Sequence, residues 1–556
     1  MAGDGRRLQD SGGAAPAGAA RLRARLRHLR NAIGLAIVAF GLVWSTGFRG
    51  FMPLDQSIVW DAAWRMLGGQ APFADFVMPN GLVPAAIQAA LFGVLGVSWT
   101  SYVLHAALAN AAFAVLVYAF LARVFGRGGP AVVYGLAAAA MLYPPIGTPY
   151  MDQHAVLFSA LLLLLVAGDA RRPLPSAWIW LLLPPVAALA FLSKQTPSAW
   201  ALLWAAAMLG LLALRRGHAT RASVLALAIG ALATAVAGVA ALTWLGASTA
   251  DAFLSLITLP GEIGQARLTW AWIAPRLGDL AKPGLLVVVA ALIACWPMLL
   301  RPEADRAAVS DWVTHAAATG LVVVAVLYVL LTDNSAWFGL GALPLAAGLA
   351  HALLERRLAG QGGPRRHLGW IVAAAIALQA LLQFADTSLP RAANELRRAD
   401  WETASRGETV DRRLAGLVWA LPPAVARDAG GESAAERYRD LLQHLRAEPG
   451  GFVLIGDAAV LYALSGRASA FPALWFHPGL TYPLPGHAAR AEFDAKLVRA
   501  LAKYDVRTIV IDGDHTWTGA RAADFAPLAA CLARGEATRM IGRFRVVTVP
   551  SGCGQK

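Results

Sequence analysis

The residues of this chain best suited to chemistry lie at the ends of strongly apolar runs. Asp55 falls in FRGFMPLDQSIVWDAAWRMLGG (48–69), directly after the first such run. Asp152 and His154 fall in YPPIGTPYMDQHAV (143–156), and Lys194 and Gln195 in FLSKQTPSAW (191–200). Arg267 lies in a long interval, 246–283, that also carries Glu262, Arg276 and Lys282. A carboxylate can take the proton of an attacking hydroxyl, and fixed cations can stabilise a departing phosphate. Phosphate leaves as a stable anion and needs no general acid. Two carboxylates with a lysine and an arginine therefore suit transfer of a group from a phosphate ester to a hydroxyl.

Each of these residues also has a plainer reading. Asp55 precedes a helical pattern whose Val59, Trp60, Ala63, Trp64 and Leu67 share one face, and Asp is a favoured N-cap. On that helix Asp61 is expected to face water. Asp75, in APFADFVMPNG, reads as a turn former. Asp152 could cap the next helix, and a histidine such as His154 is more often a structural hydrogen-bonding group than a ligand. Lys194 follows the apolar Phe191 and Leu192, so it is either a snorkelling lysine or a cation facing a cavity.

The elements that must position these groups follow from composition. The chain has 556 residues, 58% hydrophobic and 15% charged, whereas soluble domains carry about 25% charged residues. Its apolar runs have the length of bilayer spans, about 20 residues. The net charge of +14 comes from arginines clustered between those runs, as the positive-inside rule requires, so nucleic acid is not an expected partner. The clusters are RLRARLRHLR (21–30), RVFGR (123–127), DARR (169–172), RRGHATR (215–221), RPEADR (301–306) and ERRLAGQGGPRR (355–366).

With those clusters cytoplasmic, the chain reads as a polytopic α-helical membrane protein of about eleven spans. Residues 1–30 form a disordered, then basic, cytoplasmic N-terminus leading to an uncleaved signal anchor at 32–48. The later spans lie at 99–122, 130–147, 153–168, 176–193, 197–214, 223–245, 284–300, 312–331, 335–354 and 369–385. The segment 82–98 is short and carries Pro84 and Gln88, and is expected to lie in the outer interface rather than cross. Asp55, Asp152, Lys194 and Arg267 then share the outer face.

Residues 31–385 make up this membrane domain, and 386–556 an extracytoplasmic α/β domain. Strands are expected at 451–461, 506–513 and 544–549, with helices at 436–448 and 489–504. The first of these strands contains Gly456 and Asp457, without the glycine-rich pattern of a phosphate loop. Cys295 falls in a span. Cys531 and Cys553 are the cysteines of the outer domain, where oxidation is permitted, and are expected to form a disulfide.

On these residues the chain resembles the GT-C superfamily of polyprenyl-phosphate-sugar-dependent glycosyltransferases, in the branch of protein O-mannosyltransferases and lipid A aminoarabinose transferases. Asp55 opening DQSIVWDAAWRMLGG, the LFG of LVPAAIQAALFGVLG, Asp152 in YMDQH and Lys194 in LSKQT carry the resemblance. It implies that Asp55 is a general base or acceptor-orienting carboxylate, and that Asp152 positions the acceptor or a metal. It also implies that Lys194, Gln195 and Arg267 hold the donor phosphate. The implied reaction moves a sugar, with inversion, from a polyprenyl-phosphate donor to a glycan, lipid or protein hydroxyl at a bacterial cytoplasmic membrane. A divalent metal, if used, would take Asp55 and Asp152 as ligands. The chain departs from the branch at Asp55-Gln56, where Asp-Glu is common, and at MPNG (78–81), where PP is usual. The alternative is a transporter or flippase of lipid-linked sugars, which expects ionisable groups near mid-membrane; here they concentrate at one face.

Overall fold

The computed structural model describes residues 17–216, 218–300, 306–359, 367–389, 401, 404–422, 433–513 and 516–553. Most of the expected disordered N-terminus (1–16), most of the basic run 301–306, and 360–366 lie outside them. Residues 17–20 correct the expected disorder, because they open the helix Ala17–Gly47, which also contains the basic run. Alanine, leucine and arginine are strong helix formers, so the helix of the first span propagates back through the basic run.

Among the described residues eight helices are long and apolar enough to cross a membrane on their own, and up to nine if the bent pair Trp270–Leu280 and Pro283–Met298 counts as one. Leu82–Leu95, Gly128–Met141 and Ala177–Ser193 are shorter apolar helices. The last two occupy expected spans. The helix expected to run to 147 stops at Met141, because Pro144, Pro145 and Pro149 lack the N–H that would continue it. Leu82–Leu95 packs on Asp55–Leu67, whose Trp60 meets Phe92 edge to face at 4.9 Å. The interval 246–283 is largely helical, from Thr249 to Leu280.

Beyond residue 404, β1 (Ser405–Arg406) and β2 (Val418–Trp419) pair antiparallel. A second sheet has the order β3-β4-β6-β5, formed by β3 (Gly451–Ile455), β4 (Val506–Asp512), β5 (Ala537–Ile541) and β6 (Phe544–Thr548). β3 and β4 are parallel, and β6 runs antiparallel to both β4 and β5. The strand expected to run to 461 ends at Ile455, and its last two residues, 460 and 461, open the helix Val460–Ser465; β5 is a further strand that the sequence reading does not contain. Its first four residues are exposed, so it carries no buried apolar run. Side chains of β3 alternate between two cores. Phe452 and Leu454 pack with Leu441, Leu442 and Trp60, whereas Val453 and Ile455 pack with Leu497, Phe525 and Leu528.

The first of these cores is shared between the C-terminal domain and the membrane domain. Phe51 stacks on Trp419 at 4.7 Å, and the Gly50 and Phe51 N–H groups donate to Val418 and Ala420 carbonyls at 2.9 and 2.8 Å.

Candidate active site

Asp55 is the first residue of the helix Asp55–Leu67, yet the cap position belongs to Leu54 and no side chain caps the helix. The capping role is therefore not the one Asp55 plays. Its Oδ1 accepts a hydrogen bond from the Tyr150 hydroxyl at 2.9 Å. Tyr150 is delivered by the proline-rich loop after Met141, which turns at Gly147 with φ +66°. The loop also passes close to the end of the first span: a Cβ on Gly47 would lie 2.5 Å from the Gly147 carbonyl oxygen.

Asp152 is the second residue of the helix Met151–Asp169, and it too makes no cap. Its Oδ1 accepts from Lys194 Nζ at 2.5 Å and its Oδ2 from Asn334 Nδ2 at 3.0 Å. Lys194 sits in a break between the helices Ala177–Ser193 and Gln195–Arg216. Pro197 disfavours helical backbone at the residue before it, and Thr196 is extended there at φ −100°, ψ 116°. The break leaves Lys194 and Gln195 at the end of a span rather than inside one. Gln195 Nε2 donates to the Pro79 carbonyl at 2.5 Å. Arg267, at the end of Leu259–Arg267, lies over the Trp272 ring at 4.8 Å and donates to the Leu331 carbonyl at 3.3 Å.

Asp55, Lys194, Gln195 and Arg267 line one cavity of about 400 Å³. Asp152 stands behind Lys194 and reaches the cavity through it. One wall is apolar, with Phe191, Leu256, Ile257, Pro260 and Ile263. Asp55 is open to the cavity and enclosed elsewhere. Burial pushes its carboxyl up to about 6. The Tyr150 hydrogen bond opposes that rise, the Asp152 charge adds to it, and the Lys194 charge opposes it.

Other expectations fare differently. His154 is buried away from this cavity, bonded to the Tyr143 hydroxyl at 2.7 Å and to His105 at 3.0 Å, which is the structural role. Asp75 accepts from the Ala71 N–H at 2.8 Å, as a turn former should. Asp61 is a correction: it does not face water but is fully buried. It pairs with Arg65 at 2.7 Å and accepts from Ser469 at 2.7 Å, while Arg65 donates to the Phe471 and Ala473 carbonyls. The C-terminal domain covers the face that the helical pattern assigns to solvent. Cys531 and Cys553 are joined by a disulfide, with Cα atoms 5.0 Å apart.

The residues present do not fit a divalent cation. No group of three or more His, Cys, Asp or Glu among the described residues is arranged to hold one. The Lys194 ammonium already occupies the Asp152 carboxylate, where a cation would be repelled.

Tyr150 and Asn334 belong to the site although sequence reasoning did not select them. Tyr150 lies two positions before Asp152, and Asn334 ends an apolar run at LTDNSAW; a polar group at a span end was the available signal. Trp475, His477 and Trp517 of the C-terminal domain also line the cavity. Nothing local marks them, because only the docking of that domain brings them there.

Neither a family profile nor a curated protein sequence matches the chain. Among solved structures it is similar to ArnT from Cupriavidus metallidurans, determined bound to undecaprenyl phosphate. The TM-score is 0.53 and the identity 12%, over 93% of this chain and 97% of that one. At this identity the likeness is one of fold. It is the architecture that the GT-C resemblance implies, a multi-span helical membrane protein with a C-terminal domain carrying a small sheet.

Proposed function

We propose that this protein is a membrane glycosyltransferase that moves a sugar from a polyprenyl-phosphate donor to an acceptor hydroxyl. The observation that carries the reading is the convergence of Asp55, Lys194, Gln195 and Arg267 on one cavity with an apolar wall. The donor tail lies along that wall, with its phosphate against Lys194 and Arg267. The acceptor oxygen forms a bond to the anomeric carbon as the bond from that carbon to the phosphate oxygen breaks. The hydroxyl proton passes to Asp55, and the polyprenyl phosphate leaves as an anion stabilised by the cations. A single displacement inverts the anomeric centre. Asp152 and Asn334 hold Lys194 in place, and Tyr150 holds Asp55. ArnT was solved with undecaprenyl phosphate, a ligand of the proposed donor's chemical class.

We assign the reaction to the outer face of a bacterial cytoplasmic membrane. Asp152 and Arg171 stand at opposite ends of the Met151–Asp169 helix, about 28 Å long. Arg171 donates to Thr314, Arg356 pairs with Asp311, and Arg127 pairs with Glu355. These three arginines thus stand together at the end away from the cavity, in keeping with the positive-inside rule.

The test compares lipid-linked sugars and envelope glycans in source cells with and without the protein. It is followed by reconstitution with whichever lipid-linked sugar accumulates. Loss of an envelope sugar and accumulation of its lipid-linked form is expected. Unchanged pools of both would overturn the proposal.

A further inference from the structure

We infer that the outer domain supplies a saccharide-binding platform at the mouth of the cavity, built from Trp517 with His477 and Trp475, and that the acceptor is bound there through a pyranose ring. The inference rests on the proposed transfer for the word acceptor, and on geometry for the site itself.

Trp517 is 46% exposed, although it lines the same cavity as Asp55. It is held open rather than left loose. Its backbone N–H donates to Asp457 Oδ2 at 2.8 Å, and the neighbouring Thr518 hydroxyl donates to the Phe476 carbonyl at 2.6 Å. Those bonds set the indole beside the His477 ring, with centroids 5.7 Å apart and planes tilted by 38°. His477 is itself fixed: its N–H donates to the Thr481 hydroxyl at 3.0 Å, and its Nδ1 bonds the Pro478 carbonyl at 3.0 Å. That bond directs Nε2 to other partners. Asp457 follows β3, whose partner β4 runs parallel to it, so the turn sits at the carboxyl ends of parallel strands, where open α/β sheets bind ligands.

A pyranose ring has one face of axial C–H groups and a rim of hydroxyls. The C–H face carries weak positive charge and meets the negative face of an indole. The rim needs donors and acceptors, which His477, Asn80 and Asp333 supply at the cavity wall. An aromatic surface with a few polar groups around it is the usual lining of a small-molecule site. A peptide adding as an extra strand is disfavoured, because that mode needs an open sheet edge. Here β3, the edge strand nearest the mouth, is buried along its whole length, and the exposed edge, β5, is at the other side of the sheet.

The experiment uses the full-length protein in phospholipid nanodiscs free of glycolipid and sugar-headed detergent. Saturation-transfer NMR is recorded with methyl hexopyranosides, methyl pentopyranosides, short oligosaccharides and a Ser/Thr heptapeptide as probes. At least one saccharide should show saturation concentrated on its axial C–H protons. Trp517→Ala should weaken its binding about 2- to 10-fold, the range of single aromatic contacts, and Trp517→Phe should retain most of it. Because Trp517 is half exposed, both variants are expected to keep the wild-type melting curve. Saccharide signals insensitive to Trp517, or a Trp517-dependent peptide signal, would overturn the inference. Donor turnover by the wild type is read separately. A protein that binds saccharides through Trp517 but cleaves no lipid-linked sugar would sink the transfer reading and leave the platform standing.

Discussion

The helix Asp55–Leu67 holds two enclosed carboxylates whose surroundings differ completely. At its start Asp55 meets a phenol and a cavity. Two turns on, Asp61 meets the Arg65 guanidinium and the Ser469 hydroxyl, with no cavity beside it. Burial raises both carboxyls above the ordinary range, but the one matched to a cation is tied to a second domain, whereas the one without a direct cation faces a cavity in which it can exchange a proton. Position on one helix therefore says little about role. The partners, which come from residues 150 and 469, decide it.

The comparison breaks most directly at Asp55. Asp55→Asn keeps the size of the side chain and its acceptor oxygen for Tyr150, but removes the base. Transfer should fall about 10²–10⁴-fold, with expression retained and a melting temperature no lower than wild type, as measured on purified protein once the donor is known. Near-normal turnover would remove Asp55 from the chemistry.

Asp61→Asn should do the reverse. It leaves Arg65 charged and enclosed, and loss of one partner of a buried pair costs about 3–5 kcal/mol. Unfolding should shift accordingly, and limited proteolysis should release the outer domain more readily, because Arg65 anchors Phe471 and Ala473. A variant as stable as wild type would show that the contact contributes nothing to docking.

Lys194 tests whether the cation beside Asp55 acts on the phosphate. Lys194→Ala should lower turnover about 10²–10³-fold, the usual loss for one stabilising donor. Lys194→Arg should retain more because its charge persists, though its planar fork will not reproduce the bond to Asp152. Equal activity for Lys194→Ala and wild type would return this lysine to a snorkelling role.

How far the sequence could carry this contrast depends on the range of the contacts involved. Asp55, Asp152, Lys194 and Arg267 were legible because each interrupts or ends an apolar run, where a charge needs a reason. The membrane architecture was legible for the same cause: spans are long, and basic clusters separate them. Asp61 was misread because its helical face is polar by local pattern and buried by a domain some 400 residues later. Tyr150 is hard to single out because tyrosine is ordinary at membrane interfaces, and Trp517 because only the docking of its domain brings it to the cavity. Strand β5 lacks the buried alternation that marks a strand, and Ala17–Arg30 became helix because propensity and an adjoining span outweighed its charge.

The smallest expected effect is the pH dependence that Asp55 imposes. Asp55 must be ionised to accept a proton, and its carboxyl sits at about 6 rather than the ordinary 3.8 because burial disfavours the charge. Turnover in the wild type should therefore fall about tenfold per unit as pH drops below 6, and be nearly level above pH 7. Stability should move the other way. A folded-state value raised above the unfolded one means that the folded protein binds the proton more tightly. The contribution of Asp55 to stability is then fully present below pH 3.8 and is lost as pH rises through 6. Asn mimics the protonated carboxyl, so the Asp55→Asn melting temperature should gain on wild type between pH 4 and 7, while its residual activity loses the acid limb. The difference between the two melting curves cancels every other titrating group that the variant leaves in place. If that difference is flat across the window, Asp55 is ionised throughout and cannot be the base whose titration limits the reaction.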